Sequence, residues 1–291
     1  MSVDVTTKSG FNMLIYKFLA AAVLQFISSA ALAQTANEET EPLWEAGVGG
    51  GAIYEPDYPG SDEHKANGGA APYIIYRGDI FRLGDGSIVK GVVMETERFE
   101  FDISFDASFD ADSEDNDARM GLPDLDFLGE VGPQLTINLG EYHKGQLELE
   151  LPVRAVFSTD FNDLDHRGYV FNPEISYGRD DLFENFNIFL ELGASFATEE
   201  LQDYFYQVEE QHATSSRMVY DAEAGYMGSE LSVAFSYGIT DRLRLFTGVQ
   251  VSYYGGAANE DGPLLLDEIT STVGAGLVWS IYESDAQVPI R

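Results

Sequence analysis

The chain has 291 residues, a formal net charge of −34 and no cysteine. This length suits one large all-β domain or two small ones. So negative a chain is a poor match for nucleic acid, whose binding depends on lysines and arginines that neutralise phosphates. Apolar residues make up 44% of the chain and aromatic residues 13%, which excludes the composition of a disordered protein.

The N-terminal segment has the pattern of a cleaved signal peptide. Lysines precede the apolar run Phe18–Ile27, and Ala31 and Ala33 place small residues where a signal peptidase requires them. The run is too short for a transmembrane helix. We therefore expect cleavage before Gln34, with residues 1–33 as signal peptide and residues 34–42 as a polar leader. An uncleaved amphipathic or anchoring helix is the alternative.

The rest of the sequence predicts a series of strands. In chain order, they are expected at residues 43–53, 69–77, 79–83, 87–94, 97–109, 130–139, 146–157, 167–177, 185–197, 217–240, 243–254 and 269–282. Long acidic loops are expected at 54–68, 110–128, 158–166, 198–216 and 255–268, and they alternate with short turns. Long loops on one side and tight turns on the other are the layout of an outer-membrane barrel.

The segment Glu97–Phe109 shows the strand pattern most clearly. Phenylalanines and other apolar residues occupy the odd positions, and acidic residues and serines, including Glu100 and Asp102, occupy the even positions. Residues 146–157 repeat this alternation. The acidic parity must face water, because unpaired buried carboxylates are too costly. In a membrane barrel this parity lines the interior, so the lumen-facing candidates are Glu100, Asp102, Glu148, Glu150, Arg154 and Glu174.

The sequence therefore predicts an all-β fold: a transmembrane antiparallel up-and-down β-barrel of about 12 strands, with 10 possible, spanning residues 43–282 after a cleaved signal peptide. Residues 283–291 would form a C-terminal tail. Aromatic residues near many strand ends suit interfacial girdles, and an even strand number places both termini in the periplasm. A secreted β-sandwich or lipocalin-like barrel is the alternative, since antiparallel sheets also alternate.

Few residues suggest chemistry. His64, His143, His166 and His212 are expected in four different loops or turns without zinc-like spacing. His166 near Asp163 and Asp165, or His212 near Ser215 and Ser216, could serve a surface hydrolase. The acidic residues 110–117 could bind calcium, although they lack the pattern of an EF-hand. A solvated loop is the simpler interpretation, and we predict no catalytic, cofactor-binding or metal-binding residues.

Several segments in order resemble the MipA/OmpV family of outer-membrane proteins. They are Gly47–Asp62, Pro72–Asp79, Gly121–Asp124 with Glu130–Pro133, Asp203–Val208 with Tyr220–Gly225, and Gly256–Ala258 with Gly262–Leu264 and Gly274–Ile281. Two features depart from the family. The final strand ends near Tyr282 and a tail follows, whereas such barrels usually finish on an aromatic residue that the barrel-assembly machinery recognises. The loops are also unusually acidic.

The resemblance implies a non-enzymatic barrel in the Gram-negative outer membrane, in contact with lipid and lipopolysaccharide. One branch of the family is described as a scaffold that joins a lytic murein transglycosylase to a bifunctional penicillin-binding protein, so a periplasmic murein hydrolase or synthase is the expected partner. Other members are similar to porins or adhesive surface proteins. A small cation-preferring channel is the alternative function, and a surface hydrolase is a third.

Overall fold

A computed structural model describes residues 40–79, 81–83, 89–108 and 110–289. The expected signal peptide, with Ala31, Ala33 and Gln34, lies outside them. The strands are β1 (Thr40–Pro42), β2 (Trp44–Pro56), β3 (His64–Arg77), β4 (Phe81–Leu83), β5 (Val89–Glu95), β6 (Phe99–Ser108), β7 (Phe127–Tyr142), β8 (Gly145–Thr159), β9 (Leu164–Phe171), β10 (Glu174–Phe183), β11 (Phe186–Ala197), β12 (Gly225–Thr240), β13 (Leu243–Tyr253), β14 (Ile269–Glu283) and β15 (Gln287–Pro289).

The strands β2 to β14 form one antiparallel sheet that closes on itself. Strand β9 pairs with the C-terminal half of β8, and β10 pairs with the N-terminal half of the same strand. These two strands are therefore one wall strand, interrupted at Asn172 and Pro173, and it pairs on its other side with β11. Counted this way, the wall has twelve strands among the described residues. The predicted barrel and its strand number are confirmed.

The two ends of the barrel differ, as the loop pattern predicts, although the long loop expected at 158–166 is a short connection, residues 160–163. We call one the long-loop end, where residues 57–63, 110–126, 198–224 and 254–268 connect the strands. The other is the turn end, where connections are as short as His143-Lys144, whose positive φ angles of 48° and 67° make a two-residue hairpin turn. A short helix, α1 (Glu199–Tyr206), lies in the third long loop. Among the described residues, no helix has the length and apolarity to cross a bilayer.

Some predicted boundaries are wrong. Residues 54–56 and 64–68 were expected in a loop, but β2 and β3 continue through them, paired from Trp44 opposite Tyr76 to Pro56 opposite His64. Strands can extend past the apolar zone into water, where polar residues suit them. His64 and His166 consequently lie in strands β3 and β9, and not in loops. Residues 217–224, predicted as strand, precede β12 and belong to a folded loop, because several of their side chains pack into it.

The outer surface of the wall is apolar. Side chains of one parity are exposed along the strands, such as Val48 in β2, Leu192 in β11 and Val249 in β13. Exposed aromatic residues form two belts, as interfacial girdles require. Near the turn end they are Trp44, Phe81, Tyr142, Phe183, Tyr237 and Trp279, and near the long-loop end Tyr54, Phe161, Tyr169, Phe196 and Tyr253. Such a surface belongs in hydrocarbon.

The leader and the tail form a two-stranded sheet that is separate from the barrel sheet. Strand β1 pairs with β15 from Thr40 opposite Pro289 to Pro42 opposite Gln287. Arg77, at the turn end of β3, donates to the Pro42 carbonyl oxygen at 3.0 Å and forms an ion pair with Glu41 at 3.0 Å. The C-terminal tail is thus folded against the leader at the turn end.

Val249→Lys tests which parity faces lipid. Val249 is near the middle of β13, and a lysine there should lower the free energy of unfolding by about 2–4 kcal/mol, as at a bilayer midplane. Gln250→Lys is the control. Gln250 donates to the Glu230 carboxylate at 2.8 Å, so a lysine at this position would lie beside a carboxylate and not in lipid. Urea unfolding in phosphatidylcholine vesicles measures both, and an equal loss would contradict the assignment of faces.

Candidate functional site

The long loops fold into a cap over one mouth of the barrel. Its apolar core combines helix α1, through Leu201, Phe205 and Tyr206, with Tyr58 of the first loop and Leu264 of the last. Val208 and Leu264 are fully buried. Residues 217–224 contribute Ala222 and Tyr220 to this core. The cap therefore has a water-side apolar core, which continues onto inward-facing wall residues such as Leu128 and Val156.

Two buried arginines hold the cap loops together. Arg119 donates to the carbonyl oxygens of Phe205 at 2.9 Å and Pro123 at 3.0 Å, and its guanidinium lies 5.3 Å from the centre of the Tyr58 ring. Arg217 donates to the carbonyl oxygens of Ala118, at 2.6 Å, and of His212 and Met120. Because a guanidinium carries several donors in a fixed plane, one side chain can bind several backbone carbonyls.

A buried amide network joins α1 to the last loop. Asn259 donates to the Gln202 side-chain oxygen at 3.0 Å and to the Glu223 carbonyl oxygen at 3.0 Å. It also accepts from the Tyr220 hydroxyl and the Glu223 amide. Both Asn259 and Gln202 are buried. A satisfied network of this kind fixes one arrangement of the loops.

Burial shifts the pKa of several cap groups. It lowers the pKa of the Arg119 guanidinium and raises the pKa of the Tyr204 phenol to about 12. Both shifts follow from desolvation, which disfavours the charged form of each group. Tyr204 is therefore a neutral hydrogen-bond donor at neutral pH, and its hydroxyl donates to the Asp126 carbonyl oxygen at 3.2 Å.

Below the cap, acidic side chains are aligned across the wall. The register places Glu100 opposite Thr136, Thr136 opposite Glu150, and Glu150 opposite Glu174. Gly193 then separates Glu174 from Glu230. A Cβ at Gly193 would lie 3.1 Å from Glu174 Cγ and 3.7 Å from Glu230 Cγ, so glycine leaves room for both side chains. We call these four glutamates, Glu100, Glu150, Glu174 and Glu230, the carboxylate row.

Arg154 lies beside the carboxylate row. Its guanidinium nitrogens are 3.6 Å from Asp106 and 3.7 Å from Glu130, and it donates to the Gln134 side-chain oxygen at 3.2 Å. The amide of Gln134 in turn donates to Glu150 at 2.7 Å. Arg154 is thus one cation among several carboxylates, which leaves a negative surplus at this level.

The other lumen-facing candidates occupy different surroundings. Asp102 is fully buried. Glu100 is half-buried and pairs with Arg82 at 3.7 Å. Glu148 is half-buried and lies closer to the turn end than the carboxylate row does, opposite Asn138 and Ser176. The structure therefore brings Glu150 and Arg154 into one hydrogen-bonded network through Gln134, and Glu174 next to it.

The histidines show no hydrolase arrangement among the described residues. His166 packs edge-on against the rings of Phe157 and Tyr169, while Asp165 accepts from Arg167. His212 contributes its backbone carbonyl to Arg217, and the Ser216 hydroxyl bonds to that of Thr214. Neither imidazole is paired with the acids or serines that the sequence places near it.

The acidic loop uses its carboxylates for its own backbone. Asp112 accepts from the Glu114 amide at 2.9 Å, and Asp124 accepts from the Ser113 amide at 2.8 Å. Among the described residues, no group of three or more acidic or histidine side chains is arranged to hold a metal ion. The loop is part of the cap, since Asn116 donates to Asp57 at 2.8 Å.

A match to a sequence-family model identifies the family of this chain. The model described as "MltA-interacting protein MipA" matches residues 48–281, which include all but the ends of the barrel. The chain belongs to the MipA family. The predicted resemblance is confirmed, and this MipA-family chain is an outer-membrane barrel. No curated protein sequence matches it.

Several solved structures are similar to this MipA-family barrel at low identity. A bacterial polysaccharide outer membrane secretin is 8% identical with a TM-score of 0.44, over 82% of this chain and 99% of that one. An outer membrane channel from Pseudomonas putida F1 is 10% identical with a TM-score of 0.40, over 86% and 100%. Outer membrane phospholipase A from Escherichia coli, an active-site mutant, is 12% identical with a TM-score of 0.35, over 88% and 98%. These likenesses add nothing to the assignment of function.

Arg119→Ala should loosen the cap of this MipA-family barrel and leave its wall intact. The substitution leaves the carbonyl groups of Phe205 and Pro123 without their buried donor, and an unsatisfied buried polar group costs about 1–3 kcal/mol. We expect amide hydrogen exchange in residues 198–224 to speed up at least tenfold, with unchanged exchange in β12 and β13. Arg98→Ala, at an exposed turn, is the control; unchanged exchange in the cap would contradict the role of Arg119.

Proposed function

We propose that this chain is a structural barrel that docks periplasmic murein enzymes through its turn end. The observation that carries the proposal is the match to a family described as MltA-interacting. The family description names an interaction and no reaction. A barrel anchored by its wall in lipid and presenting one end to the periplasm is suited to hold a partner at the outer membrane.

The turn end offers a surface for docking. The short turns expose charged side chains, including Glu97, Glu141 and Glu184. The β1–β15 pair lies at this end and is held by Arg77. Short turns hold these groups on rigid strands, which favours binding because little ordering is required on association.

A triple substitution at the turn end tests this docking. Glu97→Lys, Glu141→Lys and Glu184→Lys together reverse exposed charges on three turns, and we expect the affinity for a purified periplasmic lytic murein transglycosylase to fall at least tenfold. The matched control reverses Glu209, Glu210 and Asp261, which are exposed at the long-loop end. Biolayer interferometry on refolded protein in detergent micelles gives both affinities. No binding by the unmodified barrel, or an equal loss in both triples, would refute the proposal.

A cation-preferring channel is the second candidate, and the carboxylate row favours it. Fixed carboxylates attract cations and repel anions in a water-filled passage, and the acids in and around the row outnumber the neighbouring Arg154 and Arg82. The cap opposes conduction, because its buried core covers the mouth. A conducting form of this barrel would therefore need the cap to open.

Conductance in planar bilayers separates the two candidates. We expect little current from the intact barrel, and a cation-selective current once residues 207–221 are replaced by a short Gly-Ser linker. In that background, Glu148→Gln together with Glu150→Gln should reduce the selectivity measured in a salt gradient. A steady current through the intact barrel would make the channel the leading function.

A further inference from the structure

The outer surface of the cap exposes large apolar side chains. Met120 is 53% exposed, Met218 74% and Val219 55%. On the wall such exposure is explained by contact with lipid, but these residues belong to loops of the long-loop end, beyond the strands. A single exposed apolar residue is ordinary on a surface in water, whereas a group of them marks a site of interaction. We call Met120, Met218 and Val219 the cap patch.

Arg217 brings the two methionines onto the same part of the cap. Both terminal nitrogens of its guanidinium donate to the Met120 carbonyl oxygen at 3.2 Å, and Met218 is the next residue in the chain. Antiparallel pairing of Val208 with Tyr220 closes the hairpin that carries Met218. The two loops of the cap patch are therefore held together by a buried side chain and by backbone hydrogen bonds.

Carboxylates border the cap patch on both loops. Glu209 and Glu210 directly follow the paired Val208, on the side of the hairpin opposite Met218 and Val219. In the other loop, Asp117 precedes Ala118, whose carbonyl oxygen also accepts from the arginine that binds Met120. All three acidic side chains are exposed. The apolar surface thus has an acidic rim.

The four long loops of the cap present no exposed lysine or arginine. Their sequences contain two arginines, Arg119 and Arg217, and no lysine. Both arginines are buried, and both donate to backbone carbonyls. The negative charge on the surface of these loops is consequently not offset by neighbouring exposed cations. Such a surface attracts a positively charged partner and repels another copy of this chain, whose net charge is −34.

Exposed methionines with an acidic rim suit a basic amphipathic helix. Methionine is flexible and polarizable, so it adapts to differently shaped apolar partners. A helix with an apolar stripe flanked by lysines and arginines offers apolar and positive groups together. A neutral lipid surface would cover the methionines but leave the acidic rim without a partner. Because the hydrogen bonds of the cap already fix its loops, little ordering is required on binding.

We propose that the cap patch binds a basic amphipathic helix of another protein. The apolar stripe of the helix covers Met120 and Met218, and its lysines and arginines lie beside Glu209 and Glu210. The partner approaches from the water at the long-loop end. This binding uses the opposite end of the barrel from the docking surface for murein enzymes, and neither interaction requires the other.

Three matched peptides test the kind of partner. The first is a short amphipathic helix of leucine and lysine. The second has glutamate in place of every lysine, and the third has serine in place of every leucine. Biolayer interferometry on immobilised barrel in dodecyl maltoside micelles, with a barrel-free sensor as background, should show saturable binding of the first and at least tenfold weaker binding of the others. No saturable binding of the first peptide, or equal affinity for either of the others, would overturn the proposal.

A double substitution locates the apolar contact. Met120→Ser with Met218→Ser removes exposed side chains and leaves the buried core of the cap in place, so the leucine–lysine helix should bind at least fivefold more weakly. Met218→Ser alone should have a smaller effect in the same direction, and it replaces the double variant if that refolds poorly. Leu266→Ser is the control, because Leu266 is exposed in the last long loop, where its amide donates to Gly60. Unchanged affinity in the refolded methionine variants would contradict the assignment.

Charge reversal locates the acidic contact. Glu209→Lys with Glu210→Lys should lower the affinity for the leucine–lysine helix at least tenfold. The matched control reverses Glu97, Glu141 and Glu184 at the turn end, which changes the net charge by more and should leave this affinity unchanged. An equal loss in both sets would show that the helix responds to the overall charge of the barrel and would refute a site on the cap.

Discussion

Pairing of every backbone amide and carbonyl within the membrane governs this structure. Lipid cannot satisfy these groups, so the strands must close into a barrel. Closure by β8 and β10 then divides the side chains into two sets. The exposed apolar set faces lipid, and the other, largely polar, set is confined inside, where Glu150 and Glu174 lie opposite each other. The acidic interior is thus a consequence of the alternation and needs no separate driving force.

The cap is stabilised differently from the wall, because its loops lie in water and must form their own core. It combines an apolar cluster around Leu264 with two arginines whose partners are backbone carbonyls. In a chain of net charge −34, carboxylates are abundant, yet Arg119 and Arg217 bind main-chain oxygens of several loops. A carbonyl partner ties the arginine to the path of the backbone, so each side chain orders a whole segment.

Sequence periodicity predicted the wall because a strand with lipid on one side and water on the other alternates at period two. Residues 99–109 carry that signal in every position. The cap lacks it. Helix α1 is too short for a clear helical period, and residues 217–224 are apolar enough to resemble a strand. Arg119 and Arg217 carried no local signal at all, because their partners lie up to 99 residues away.

The cap and the carboxylate row act on the same interior in opposite senses. The row gives the lumen a negative surplus, which would favour cations if ions passed through it. The cap closes the route along the barrel axis with a buried core whose loops are held by hydrogen bonds. A barrel that conducted freely would leave this mouth open, whereas a barrel that anchors a partner at its turn end loses nothing when the opposite mouth is covered.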